Sequence, residues 1–264
     1  MGTSGKELRE KTARIFRAGR KLYGINQVEM AKTLGITQGT VSKLETAVLA
    51  PDAGVWYQFC KHLNLNADLT FSSGFIFDPD LEKVQKDKFK LGKKKSGSKN
   101  KIKVRNCLPF IDTIYNLEGS EDLAKHLKLI NIDADVFAVP DYDVPVEVLS
   151  EVFNYLGGLQ TEAKSLKAVT ESYLKYQDIL YSGDIESIEM LTSLFRSQLV
   201  NVSHEAGCVN ITVDLEDNAK INQNFLAGYV KYQSQLIKEI ASKVLKIDGM
   251  SLDKVDLFQY SLRY

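Results

Sequence analysis

The 264-residue sequence predicts a two-domain chain. An all-α domain of five helices covers residues 1–77, a basic flexible linker covers 78–105, and a mixed α+β domain covers 106–264. Three observations carry this. Apolar residues recur at helical spacing through the first 66 positions. Residues 83–105 then hold 11 Lys/Arg and one acid, Asp87, leaving too little apolar surface to fold alone. Beyond Cys107 the apolar pattern resumes, and near Cys208 its period changes from helical to alternating.

In residues 7–24, Leu8, Ala13, Ile15, Phe16, Ala18 and Leu22 fall near one face, and Gly24 ends the helix. Two short helices follow at 27–34 and 38–46. Residues 54–64 form a fourth, with Val55, Phe59 and Leu63 four apart, and "ADLTF" supplies a short fifth turn. The Lys-, Gly- and Ser-rich linker is a solvated spacer on one reading and a source of nonspecific phosphate contacts on the other.

In the second half, "SEDLAKHLK" starts a helix with Ser120 as N-cap and acids in the first turn. Pro145 suits the first position of a helix whose apolar face is Val148, Leu149, Val152, Phe153 and Leu156, and Gly157 is expected to stop it. Helices are expected at 163–181, 187–201 and 222–246; "IESIEMLT" suits strand or helix. Val209, Ile211, Val213 and Leu215 alternate as a half-buried strand, and "DLFQYSLRY" as a final one. The long helix 222–246 is a candidate dimer surface, with the alternative that it covers its own sheet. The aromatic residues Tyr155, Tyr173, Tyr176, Tyr181, Phe195, Phe225 and Tyr229 serve as core or line a ligand pocket.

The most informative stretch is "NQVEMAKTLGITQGTVSKLE", residues 26–45. Ala31 is small where two helices must cross closely. Gly35 lies between them, where a sharp turn needs positive φ. Thr37 is an N-cap, and Val41 and Leu44 face inward. Gln38, Gly39, Thr40, Ser42 and Lys43 are left facing outward near a helix N-terminus. Amides there suit adenine edges, and a lysine suits guanine or phosphate.

On these residues the stretch resembles the Cro/repressor-type, or XRE, helix-turn-helix family over roughly residues 10–66. The resemblance implies a DNA-binding domain. It implies a phosphate contact at Gln27, base reading at Gln38, Gly39 and Lys43 with Thr40 beside them, and an Arg20–Glu45 ion pair near the phosphates. Thr37, Ser42 and Arg20 complete the expected DNA-binding set. Two departures stand out: Gly39 brings no side chain, and "TAVLAPD" lacks the usual Gly-Lys after the pair. More weakly, "LINIDADVFAVPDYDVPVEVLSEVFNYLGG" resembles the sensor domains of AraC-type regulators. The closing strand likewise resembles small-ligand folds of the haem-NO-binding and 4-vinyl-reductase types, without a haem ligand.

Charge divides the chain. Residues 1–105 hold 21 Lys/Arg and 10 Asp/Glu, a net of +11; the remainder is −11. The basic half suits a polyanion. Three unpaired-looking cysteines, no apolar leader and no membrane-length apolar run predict a cytoplasmic protein. No phosphate loop, nucleophile elbow or HExxH motif is present, so no enzyme and no cofactor are expected. His204 and Cys208 are four apart, which is weak for a metal pair, and no metal is expected. The sequence thus predicts a transcriptional regulator that binds double-stranded DNA as a homodimer. It leaves open whether the second half also senses a small molecule or protein partner. The alternative is a protein–protein regulator of antitoxin or anti-repressor type that uses the same fold without specific DNA readout.

Overall fold

The computed structural model describes residues 5–77, 89–91, 101–159, 161–180, 186–195, 197, 199–205, 207–213 and 221–264. They divide into two compact units. The first takes residues 1–93, 103–105 and 124–143; the second takes 94–102, 106–123 and 144–264.

The first unit opens with five helices: α1 Gly5–Leu22, α2 Gln27–Leu34, α3 Gln38–Glu45, α4 Ala53–His62 and α5 Ala67–Ser73. Local chemistry sets their ends. Asn26, Thr37, Asp52 and Asn66 each accept a backbone N–H of the following first turn, which satisfies a donor that a helix start leaves orphaned. Gly35 ends α2 at φ 66°, the left-handed turn that lets α3 fold back across α2. Ala13, Ile15, Phe16, Ala18 and Leu22 are buried as the helical period requires. Phe16 stacks on Phe59 at 4.1 Å between ring centroids. Gly19 makes that approach possible: a Cβ there would lie 2.7 Å from Phe59 Cζ and 2.8 Å from Leu63 Cδ1.

The same unit includes a segment from far along the chain. Helix α7 (Ser120–Leu129) runs into it, and a 3-10 turn, Ala134–Ala138, buries Val136, Phe137 and Ala138. This turn is held at both ends. The Ile76 N–H donates to the Ala138 carbonyl at 2.7 Å, and the Asp133 N–H donates to the Lys90 carbonyl at 2.8 Å beside a Leu91–Ile132 bridge. Phe89 meets the Tyr142 ring edge-on. Lys103 pairs with Asp143, and Arg105 with Asp141. Of the linker expected over 78–105, residues 78–88 and 92–100 lie outside the described residues. Lys101–Lys103 form strand β1, which pairs with β2 (Asp143–Pro145).

The second unit holds α6 (Leu108–Glu118), α8 (Val146–Leu159), α9 (Glu162–Leu180), α10 (Ile188–Phe195), α11 (Gln223–Ile240) and an antiparallel sheet. The sheet's strands are β3 (Asn201–Glu205), β4 (Cys208–Thr212), β5 (Ser251–Lys254) and β6 (Gln259–Arg263), in the order β3-β4-β6-β5. The register places Val202, Val209, Ile211 and Leu262 on the buried face. Ser203, Asn210, Ser261 and Asp253 line up across the other. Phe110, Phe153, Phe225, Tyr229 and Tyr232 form one ring cluster, with centroids 5.4–6.3 Å apart.

Several expectations need correction. Helix α8 does not stop at Gly157 but runs on to Leu159. The helix expected at 187–201 ends at Phe195, because "NVSHE" pairs as β3, and the undecided "IESIEMLT" is helical from Ile188. Strand β5 was not anticipated. Helix α11 buries Phe225, Tyr229, Tyr232 and Leu236 on one side and Leu226, Val230, Gln233 and Ile237 on the next. It is therefore the core helix of its own unit rather than a free dimer surface. Leu215 and Tyr181 lie outside the described residues.

Candidate nucleic-acid interface

Each expected DNA-contacting residue lies where helix geometry places it. Gln27 opens α2, Thr37 caps α3, and Gln38, Gly39, Thr40, Ser42 and Lys43 follow on α3. Thr37, Gln38, Gly39 and Lys43 are exposed; Gln27, Thr40 and Ser42 are half-buried. Val41 and Leu44 are buried and hold α3 against the body of the unit. The Thr37 and Thr40 hydroxyls meet at 2.9 Å.

Arg20 lies at the back of this surface on α1. Its Nε and Nη2 donate to the two carboxylate oxygens of Glu45 at 2.5 and 3.0 Å, and its Nη1 donates to the Ile25 carbonyl. The hydrogen bond to Glu45 holds the Arg20 pKa above the ordinary arginine value; burial opposes this, and the charges of Glu45 and Asp135 add to it. Glu45 is 4% exposed and also accepts from Gln27 Nε2 at 2.9 Å. Gln38 Nε2 in turn donates to Gln27 Oε1 at 2.7 Å.

This chain fixes the orientation of two amides. A carboxylate only accepts, so Gln27 must turn its NH₂ toward Glu45. Its carbonyl oxygen is then the group available to Gln38, which must present an NH₂ to it. Gln38 is left with its Oε1 and its second N–H to offer outward, one acceptor beside one donor. That is the complement of adenine N6 and N7 in the major groove.

Two contributors were not identified in the sequence. Asn26 and Glu29 form a reciprocal capping box at the start of α2, a pattern readable from their spacing. Arg17 donates to the Glu45 carbonyl oxygen and to both Asp135 carboxylate oxygens. No local pattern signals that contact, because its partners are 118 residues apart.

Other candidate chemistry is dispersed. His204 pairs with Val209 across β3 and β4, so Cys208, the next residue along, points to the opposite face. His204 meets the Tyr264 hydroxyl, and Cys208 meets Ser261 Oγ at 2.9 Å. No cluster of metal-ligating residues occurs among the described residues. A cleft of about 190 Å³ between α6 and α9 is lined by Asp112, Thr113, Asn116, Ser172 and Lys175 among others, rather than by the tyrosines. No helix among the described residues is long and apolar enough to cross a membrane.

Two short helices at a glycine turn, with a polar helix outermost, define a helix-turn-helix. Residues 16–69 match a family model described as Helix-turn-helix, and the match is of the XRE type. Residues 16–69, about a fifth of the chain, therefore form an XRE-type helix-turn-helix region. No curated protein and no solved structure matches the chain.

Proposed function

We propose that the protein is a sequence-specific transcriptional regulator that inserts α3 into the major groove of double-stranded DNA. The observation that carries this reading is the oriented Gln38 amide, held by Gln27 and Glu45 on an exposed helix start. Gln38 reads an adenine edge and Lys43 a guanine edge or phosphate. Gly39 lets the helix backbone approach the bases. Gln27, Thr37, Thr40 and Ser42 face the flanking phosphates, and Arg20 acts at the phosphate edge chiefly by holding Glu45. The protein acts as a homodimer, since a single module makes a small interface and two half-sites one helical turn apart restore affinity and specificity. The second unit supplies the dimer contact and responds to a small molecule or a protein partner; its cleft between α6 and α9 supports that part of the reading.

A good bidentate base contact is worth ~1–3 kcal/mol of discrimination. Replacing Gln38 and Lys43 together by Ala should therefore reduce the preference for a selected duplex over a scrambled one by roughly ten- to hundredfold. The melting temperature should be nearly unchanged, because both side chains are exposed. Fluorescence anisotropy on the two duplexes measures this, and an unchanged preference would refute the groove assignment. A chain that shows no salt-dependent binding to any duplex would point instead to a protein–protein regulator.

A further inference from the structure

We infer that Asp135, which lies outside the matched helix-turn-helix, is a positioning residue for base readout. It acts through Arg17 and Glu45 on the Gln27–Gln38 amide pair. This rests on the DNA-binding reading above and extends it to a segment nearly a hundred residues along the chain.

The contacts form one unbroken path inside the first unit. Asp135 is 5% exposed. Its carboxylate accepts from Arg17 Nε at 3.0 and 3.1 Å and from Lys21 Nζ at 2.8 Å, and Lys21 also reaches Asp133 at 2.6 Å. Arg17 Nη1, aimed by that pairing, donates to the Glu45 carbonyl oxygen at the end of α3. This is one of the final carbonyls that a helix cannot satisfy internally, and a cation suits that end of the dipole. Glu45 is thus held twice, at its carbonyl by Arg17 and at its carboxylate by Arg20 and Gln27. The second grip is the one that orients Gln38.

Charge explains why Asp135 matters to the second grip. Arg17, Arg20 and Lys21 converge on one face of α1. With Asp135 present, Arg17 has its own carboxylate and leaves that of Glu45 to Arg20 and Gln27. Without it, three cations share Glu45 and Asp133, and Arg17 competes for the Glu45 carboxylate. Gln27 then loses the acceptor that fixes its amide, and Gln38 loses its defined donor–acceptor face. The turn that carries Asp135 is fixed independently, by Val136, Phe137 and Ala138 in the core and by the Ile76 and Lys90 backbone bonds. Removing the charge alone should therefore leave the turn in place.

The test uses the full chain, a duplex enriched by the wild-type protein from a random-sequence pool, and a scrambled duplex of the same composition. Asp135→Asn should reduce the preference for the enriched duplex about tenfold, the share of one base contact, with affinity for the scrambled duplex unchanged or raised. The Gln38 side-chain amide resonance, assigned from its loss in Gln38→Ala, should shift in Asp135→Asn. Val136→Ala loosens the same turn without touching the ion pairs and should keep the preference. Arg17→Met removes the competing cation, so adding it to Asp135→Asn should restore the preference, and a restored preference also shows that the Asp135→Asn loss is not a folding defect. Retained preference in Asp135→Asn overturns the inference, as does an equal loss in Val136→Ala or a failure of Arg17→Met to restore the preference. A wild-type chain that enriches no duplex overturns the DNA reading and this inference with it.

Discussion

At the scale of single residues, two glycines in the first unit are needed for opposite reasons. Gly35 sits at φ 66° with nothing within 4 Å of where a Cβ would stand, so the need is for a backbone conformation and not for space. Gly35→Val should cost about 1–2 kcal/mol, the left-handed penalty of an L-residue. Gly35→Asn should cost less, since asparagine tolerates this region. Thermal melts of the two variants separate the causes: equal losses would mean that space, not φ, is limiting. Gly19 is the reverse case. It lies within a helix, and a Cβ would collide with Phe59, itself fully buried, and with Leu63. Overpacking costs ~1–3 kcal/mol, against up to ~1 kcal/mol regained from helix propensity. Gly19→Ala should therefore lower the melting temperature despite being the better helix former, and a rise would show that Phe59 and Leu63 can move aside. Gly35 was legible from its position between two helical patterns. Gly19 was not, because a close approach depends on what packs opposite.

At the scale of elements, legibility follows the range of the interaction that makes each one. Helices α1 to α4 were readable to within two residues, because a 3.6-residue period and a cap such as Thr37 are written locally. Strand β4 was readable from its alternation. Strands β3 and β5 were not: the helix expected at 187–201 ran on to Asn201, and "NVSHE" holds one apolar residue, Val202, too few to show a period, so only pairing with β4 reveals the strand. Strand β5 has four residues with Leu252 its one apolar side chain, too few to show a period, and β6 supplies the pairing. The two glycines at 157 and 158 look like a stop, yet neither is held in the left-handed conformation that ends a helix, and α8 passes through them. On α3 the exposure of Gln38, Gly39 and Lys43 was legible, as was the pairing of Arg20 with Glu45. The Asp135–Arg17 contact was not, because acids in "NIDADVF" look like loop caps. One of them does cap its turn, since Asp133 accepts from the Asp135 N–H.

At the scale of the whole molecule, proton binding sets the conditions under which each unit stays folded. In the first unit, burial pulls the Lys21 pKa down, but hydrogen bonds to Asp133 and Asp135 and their charges outweigh it, leaving it above 10.5. In the second, burial alone pushes the Cys107 thiol well above 9.0, and burial with the charge of Glu162 pushes the Tyr232 phenol above 10.0. All three bind their proton more tightly folded than unfolded. Their contribution is complete below the unfolded values and is lost as pH rises through the folded ones. Lys11, lowered by burial and by Arg14, opposes them. Glu162 has the opposite sense: its hydrogen bond to Lys231 holds it below 4.5, against burial, so its contribution is present above that value and is lost as pH falls. Stability should therefore be flat between about pH 5 and 8.5 and decline on both sides, with more groups responsible for the alkaline edge than for the acid one. Denaturant unfolding across pH measures it, and two variants assign the edges. Lys231→Met should remove part of the acid-side decline and leave the alkaline side unchanged. Cys107→Ser should do the reverse, since serine has no proton to lose there. A Cys107→Ser chain with an unaltered alkaline edge would show that the buried thiol is not among the groups that set it.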